Sequence, residues 1–337
     1  MKTNEQQARD LVNQGAALHL NGHKDAAREK YKEAIALDDH NATAYNNLGF
    51  ILAQEQEYDR AIELYRKSID LNEENPTAYL NLGNALIYKG ELKKAAESLK
   101  KSIDYEKENE LAWQSLAKLM FLVKRPDKAI EAWSNAIRLN PNNIDYQVEL
   151  AINYAAIERF AEAKEVLMHV LSKAPHHVRA LMQLGVVTLA HKDLGSACDI
   201  FRQVIDLEPK NESARYNLAL TYLSMGETEQ AKFELEKVLL INSKYFKATL
   251  DLGIIELSMG NYNHALKYFQ NCIDKNYNTP KALFYKATTQ AEMKKYNEAQ
   301  VTLAQFFNAG DNDFSEKARE LLKSIESKAA TATDNQS

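Results

Sequence analysis

Residues able to do catalytic chemistry are sparse in this chain of 337 residues. One histidine pair, His176-His177, carries metal-ligating side chains, but it reads as a turn, where exposed polar residues are ordinary, and no metal is assigned to it. Carboxylates are plentiful, yet no nucleophile stands beside a base at a usable spacing. No glycine-rich loop is free to cradle a phosphate. The expectation is therefore no catalytic site, no cofactor and no metal. What does recur is a polar side chain: Asn13, Asn47, Asn81, Ser115, Glu149, Gln183, Asn217 and Asp251 follow one another at intervals of 34 residues. An amide both donates and accepts hydrogen bonds, so a regular file of amides is suited to a backbone, provided the fold puts it on one open face.

The elements that would do so repeat with the same period. Every thirty-fourth residue from Ala27 to Ala299 is alanine, without a gap: Ala27, Ala61, Ala95, Ala129, Ala163, Ala197, Ala231, Ala265 and Ala299. Such a period marks a solenoid, in which each unit buries its apolar face only against its neighbours. A second column is small throughout: Gly15, Gly49, Gly83, Ala117, Ala151, Gly185, Ala219, Gly253 and Ala287. Twelve residues separate the two columns, too far for one helical face but right for two antiparallel helices whose backbones touch. Larger apolar residues recur at helical spacing, as in Trp113, Leu116, Ala117 and Met120 followed by Ala129, Trp133 and Ala136. Gly22, Gly90, Gly226 and Gly260 share one place between the helices, where a chain leaving a helix wants a residue tolerant of positive φ. Pro141, Pro175 and Pro209 share another, and Pro76 and Pro280 open first helices.

This pattern resembles the tetratricopeptide repeat (TPR) family, carried by Trp113, Leu116-Ala117, Ala129, Trp133, Ala136 and Pro141 and by equivalents such as Leu150-Ala151, Tyr154, Ala163 and Pro175. The resemblance implies an all-α fold, a right-handed α-solenoid superhelix of nine helix-turn-helix repeats with a C-terminal capping helix. The register sets a lead-in over 1–7 and repeats at 8–41, 42–75, 76–109, 110–143, 144–177, 178–211, 212–245, 246–279 and 280–313. A capping helix is expected over 314–327 and a disordered tail over 328–337, which has no apolar period.

The net charge of −5, with both signs mixed, argues against a nucleic-acid footprint. No run of about 18 apolar residues offers a membrane span, and the polar Met1–Gln7 has no apolar core of an export signal. Cys198 and Cys272 are 74 positions apart. Helices stacked at roughly 8–10 Å would hold them beyond the roughly 7 Å a disulfide spans. Two reduced packing cysteines are the expectation, consistent with a cytoplasmic protein.

In the resembled family the first helix of each repeat lines the concave side. That implication places Asn47, Asn81 and Asn217 on a polar ladder, like the asparagine ladder in the TPR region of O-linked N-acetylglucosamine transferases. Glu149 and Asp251 depart from that ladder. The alternative is a consensus asparagine that satisfies a neighbouring helix or water. Beside it, Val148, Ile152, Met182, Val186, Leu189, Tyr216, Leu220, Leu223, Leu250, Ile254, Leu257 and Phe284 form an apolar stripe in repeats five to nine, rimmed by Arg179, Lys247 and Lys281. The earlier repeats mix Asn46, Asn84, Gln114 and Lys118 with Phe50, Leu80, Ile87 and Phe121, so the C-terminal half should be greasier. An exposed apolar patch marks an interaction site. Burial between adjacent first helices, or cover by the chain's own terminal segment or a second copy, are the other readings. The carboxylate clamp of chaperone-binding TPR domains does not fit, because Val12 and Ala16, or Asn46 and Phe50, stand where Lys and Asn are needed.

The expected function is a non-catalytic scaffold or adaptor that binds a peptide or helix of a protein partner in the concave groove. The alternatives are a self-assembling structural protein, hence a possible homo-oligomer, and a substrate-recruiting subunit of a separate enzyme. Neither nucleic acid nor a membrane is an expected partner.

Overall fold

The computed structural model describes residues 2–310 and 313–334, with side chains through residue 328. The described residues form nineteen helices and no strand. They fall into two compact units, 1–175 and 176–337.

The first unit holds α1 (Asn4–Leu20), α2 (Lys24–Leu37), α3 (Ala42–Gln54), α4 (Tyr58–Leu71), α5 (Pro76–Tyr88), α6 (Leu92–Tyr105), α7 (Glu110–Leu122), α8 (Pro126–Leu139), α9 (Ile144–Ala156) and α10 (Phe160–Lys173). The second holds α11 (Val178–Ala190), α12 (Leu194–Leu207), α13 (Glu212–Met225), α14 (Thr228–Ile241), α15 (Phe246–Ser258), α16 (Tyr262–Asp274), α17 (Thr279–Glu292), α18 (Tyr296–Asn308) and α19 (Ser315–Asp334). Within each unit every odd-numbered helix packs on the even-numbered one that follows, and that helix on the next odd one. The family of helical solenoids is thus the architecture of both units.

The seams are those the columns demanded. All nine alanines from Ala27 to Ala299 are completely buried. A methyl group on Gly185 would lie 2.5 Å from the Phe201 ring, and one on Gly15 would lie 2.6 Å from Tyr31. The missing side chain is what lets the two helices of a pair close over a buried ring. The odd-numbered helices from α1 to α13 start at side-chain caps. Asn41, Asn75, Asn109, Asn143 and Asn211 each accept a hydrogen bond from the backbone N–H three residues on, satisfying a donor that the first turn leaves orphaned.

At the helix ends, Gly22, Gly90, Gly226 and Gly260 have φ between 76° and 83°. Five non-glycine residues hold the same left-handed conformation at the equivalent place: Gln56, Lys124, Glu158, Lys192 and Lys294. Cys198 and Cys272 are free and buried, and burial pushes the Cys272 thiol up to about 11. Cys272 Sγ approaches the carbonyl of Phe246 as Ser68 and Ser102 hydroxyls donate to Ala42 and Pro76 at the matching places; it is a packing residue.

At the chain ends the helices reach beyond the repeat register. Within the lead-in, α1 already starts at Asn4, where Thr3 and Gln6 close a reciprocal capping box. The last helix runs to Asp334, past the end of the expected capping helix at 327. Alanine-rich sequence extends a formed helix at little cost. Residues 335–337 lie outside the described residues.

Candidate functional site

The open face of each unit follows from how the helices meet. Successive first helices touch directly, α1 with α3, α3 with α5 and α5 with α7 in one unit, α11 with α13 and α15 with α17 in the other. No contact of like extent joins successive second helices among the described residues. The first helices therefore line the tighter side of each unit.

In the first unit this face carries an amide relay. Asn81 Nδ2 on α5 donates to Asn46 Oδ1 on α3 at 2.9 Å, and Asn46 Nδ2 donates to Asn47 Oδ1 at 3.2 Å. Asn47 also stands within hydrogen-bonding reach of the Tyr31 phenol, whose pKa is raised by burial and partly restored by that contact. Asn46 is buried, whereas Asn47, Asn81 and Asn84 are half-exposed. The sequence reading missed Asn46 as the linking residue; the pair Asn46-Asn47 beside Asn81 was the available signal. Asn84 makes no hydrogen bond among the described residues. Next to Asn47 is an open cavity of about 230 Å³ lined by Ala16, His19, Leu20, Tyr31, Asn47 and Phe50. His19 and Phe50 rings face each other across it at 5.6 Å. Val148 is completely buried and Ile152 half-buried.

In the second unit the expected stripe is largely absorbed into packing. Leu250 is 3% exposed. Met182, Leu189, Tyr216 and Leu223 pack against the α12–α15 core, and Ile254 and Leu257 against the core of α15, α16 and α17. Leu220 is half-buried, and among the stripe residues only Val186, at 39%, is exposed. Phe284 is covered by Tyr285 and by Phe314 ahead of the last helix, with ring centres 5.3 and 5.2 Å away. On the first-helix face of the first unit Phe50, at 41%, and Phe121, at 45%, are exposed, while Leu80 is buried. Burial between adjacent first helices, one of the readings the sequence left open, thus accounts for most of the stripe. Side chains at successive repeats shield one another where first helices run close, which a single column does not reveal.

The polar ladder also changes character in the second unit. Asn217 donates to the carbonyl of Ser213 on its own helix at 2.9 Å, so it does not continue the relay. Asp251 accepts the Tyr216 hydroxyl at 2.8 Å. Burial raises the Asp251 carboxyl pKa, and Tyr216, Lys281 and Lys247 partly oppose that rise. Burial, and then the Asp251 charge, push the Tyr216 phenol far up. Arg179 and Lys247 are exposed and Lys281 is half-exposed. His177 has a structural duty: its Nδ1 accepts from the Ala180 N–H at 3.1 Å, the cap that asparagine supplies elsewhere. The run Asn41, Asn75, Asn109 and Asn143, at the same period, was the signal that identifies it. Asp38, Asp39 and His40 bring their ligand atoms together at an exposed turn; Asp38 caps the turn backbone at His40 and the Asp39 carboxylate meets the His40 ring. No described helix is long and apolar enough to cross a membrane.

The comparisons with known proteins agree with this architecture. A family model described as the cilia and flagella-associated protein 70 C-terminal domain matches residues 2–217, and a tetratricopeptide repeat model matches residues 188–249. No curated protein matches the chain. Among solved structures, YrrB, described as a TPR protein with an unusual peptide-binding site, is 24% identical with a TM-score of 0.50, over 55% of this chain and 95% of that one. PilF of Pseudomonas aeruginosa is 21% identical with a TM-score of 0.53, over 62% of this chain and 96% of its own. The APC/C hetero-tetramer Cut9-Hcn1 is 17% identical with a TM-score of 0.54, over 83% of this chain and 55% of that one. These likenesses bear on the fold. With a family model spanning residues 2–217 and a period that runs through both units, the chain belongs to the tetratricopeptide repeat proteins, in the family described as the cilia and flagella-associated protein 70 C-terminal domain.

Proposed function

We propose that the protein is a non-catalytic scaffold that holds an extended segment of a protein partner on its first-helix faces. The observation that carries this reading is the relay Asn81–Asn46–Asn47 ending at an open apolar cavity beside Phe50. Asn46 holds the two outer amides in place, and their remaining hydrogen-bonding capacity faces a surface that water can leave. A peptide backbone satisfies such amides while a side chain enters the cavity. In the second unit the corresponding surface is Val186, Leu220 and the half-exposed edges of Met182, Leu189, Leu223, Ile254 and Leu257, with Arg179, Lys247 and Lys281 beside them. As exposed charges these steer association more than they hold the complex. The YrrB description, a TPR protein with an unusual peptide-binding site, supports the class of ligand. The two reduced, buried cysteines support a cytoplasmic setting.

The test replaces Phe50 or Leu220 with Asp in the full chain and measures recovery of cross-linked partners from the native host. Loss of partners with helical content unchanged is the expected result. Full recovery with both variants would remove the first-helix faces as the binding surface.

A further inference from the structure

The opposite side of the first unit carries a second feature. Second helices of successive pairs stand apart, leaving clefts floored by the first helix between them. Two of these clefts occupy equivalent positions. Between α2 and α4 the cleft measures about 320 Å³, and Leu64 stands in it above Leu48 and Leu52. Between α6 and α8 the place of Leu64 is taken by Ala132, above Leu116 and Met120, and the cleft widens to about 570 Å³ with Trp113 in its wall. That volume is in the range of roughly 300–1,000 Å³ typical of ligand pockets. The Trp113 indole N–H donates to the Lys107 carbonyl at 2.9 Å, which pins the ring.

The linings carry equal charge, with Lys100, Arg125 and Lys128 against Asp104 and Glu131 in the wide cleft and Arg28, Lys32 and Arg60 against Glu57 and Glu63 in the narrow one; the surroundings and the pairing differ. Residues 89–128, around the wide cleft, carry ten Lys and Arg against seven Asp and Glu, a surplus of three positive charges in a chain of net −5. The equivalent segment 21–60, around the narrow cleft, carries five against eight, a surplus of three negative charges. At the narrow cleft Lys32, Arg28 and Arg60 are each ion-paired, with Glu29, Glu55 and Glu57. At the wide one Lys128 pairs with Glu131 and Arg125 with Asp127, while the exposed Lys100 makes no ion pair among the described residues.

We propose that the α6–α8 cleft is a docking site, separate from the first-helix face, for a large apolar side chain of a partner segment flanked by Asp or Glu. The apolar floor takes the anchor. The basic surround draws the flanking carboxylates and repels a basic segment. The narrow cleft of the same fold does not take it, because Leu64 occupies the anchor's place and the cations lining it are already ion-paired.

The experiment selects short random peptides, displayed on phage, against the full chain, then titrates the recovered peptides while following tryptophan emission. The chain has two tryptophans; Trp133 is 1% exposed, so a ligand in the cleft reports through Trp113. Two variants accompany the titration. Ala132→Leu copies the residue native to the narrow cleft. Lys100→Glu alters only an exposed charge and leaves the packing intact, so it separates loss of the site from loss of the fold. Peptides joining a large apolar residue to acidic neighbours, a saturable emission change, about a tenfold loss of affinity with Ala132→Leu, and weakening by Lys100→Glu and by salt are expected. The proposal is overturned if no such peptide is recovered, or if recovered peptides bind both variants as tightly as the unaltered chain. Peptides bound on the first-helix face would instead lose affinity with Phe50→Asp, so the two surfaces fail separately.

Discussion

Adding one methyl group at Gly185 should destabilise the second unit, although alanine is the better helix former. The added carbon would lie 2.5, 2.8 and 2.9 Å from three carbons of the Phe201 ring. Ordinary carbon contacts are about 3.5–4.0 Å, so the ring must retreat by about an ångström. Phe201 is completely buried and has nowhere to go. Overpacking of this kind costs about 1–3 kcal/mol, and the helix-propensity gain of glycine to alanine offsets about 0.5–1 kcal/mol of it. The net expectation for Gly185→Ala is a loss of about 1–2 kcal/mol. A control lies ten residues on: a methyl at Gly195, in the first turn of α12, meets nothing within 4 Å, so Gly195→Ala should stabilise by about 0.4–1 kcal/mol. The chain itself suggests the compensating change. Ala219 stands to Leu235 as Gly185 stands to Phe201, and both are completely buried. Phe201→Leu should therefore recover part of the loss, a favourable coupling in a double-mutant cycle. Because a solenoid opens by neighbouring segments, the assay is native-state hydrogen exchange of α11 and α12 amides, with far-UV circular dichroism for the whole chain. Both tryptophans lie in the first unit, so their emission serves as an internal control. Undiminished protection of α11 and α12 in Gly185→Ala, or a zero coupling with Phe201→Leu, would refute the packing argument.

Other outcomes follow from the same geometry. Ala163→Leu, at a completely buried helix contact, should cost about 1–3 kcal/mol; an unchanged urea midpoint would show the alanine column to be misread. Glu158 holds φ at 60° where four equivalent residues are glycine, and a left-handed side-chain residue costs about 1–2 kcal/mol. Glu158→Gly should therefore raise the unfolding midpoint despite the looser unfolded chain, and a lowered one would count against strain at that turn. Asp251 is the case for pH. Its folded pKa is raised by burial, so the folded state holds the proton more tightly than the unfolded one, and stability should rise as pH falls through that raised value towards the ordinary range near 3.8. Asp251→Asn keeps an acceptor for Tyr216, removes the buried charge, and should raise the midpoint at pH 7 while flattening this part of the pH profile. A lowered midpoint at neutral pH would mean that Lys247 and Lys281 outweigh burial.

Much of the fold was legible because each repeat solves the same packing problem. The alanine and glycine columns name the helix contacts, and every such alanine is buried. Turn positions were legible where glycine marks them and silent where Gln56, Lys124, Glu158, Lys192 and Lys294 take the same backbone, since a side chain tolerates that conformation only when the flanking helices impose it. The helix bounds at the ends were less legible, because a helix already nucleated recruits adjoining residues that have no apolar period of their own. The candidate surface was half legible: Asn47 and Asn81 fall on the first-helix face, but Asn46, which joins them, and His177, which caps a helix, take their parts from partners in other residues' company.

The sequence by itself determined the period, the helical class, the contact columns and the absence of any motif that commits the chain to catalysis, because those follow from residue types at fixed spacing. Which stripe residues remain open was decided only by the tertiary structure. Val148 and Leu250 vanish into the packing, Phe284 is roofed by Phe314, and Phe50 stays in reach of solvent. Exposure is a property of what neighbouring helices place over a side chain, and close approach of successive first helices covers positions that a helical projection draws as free.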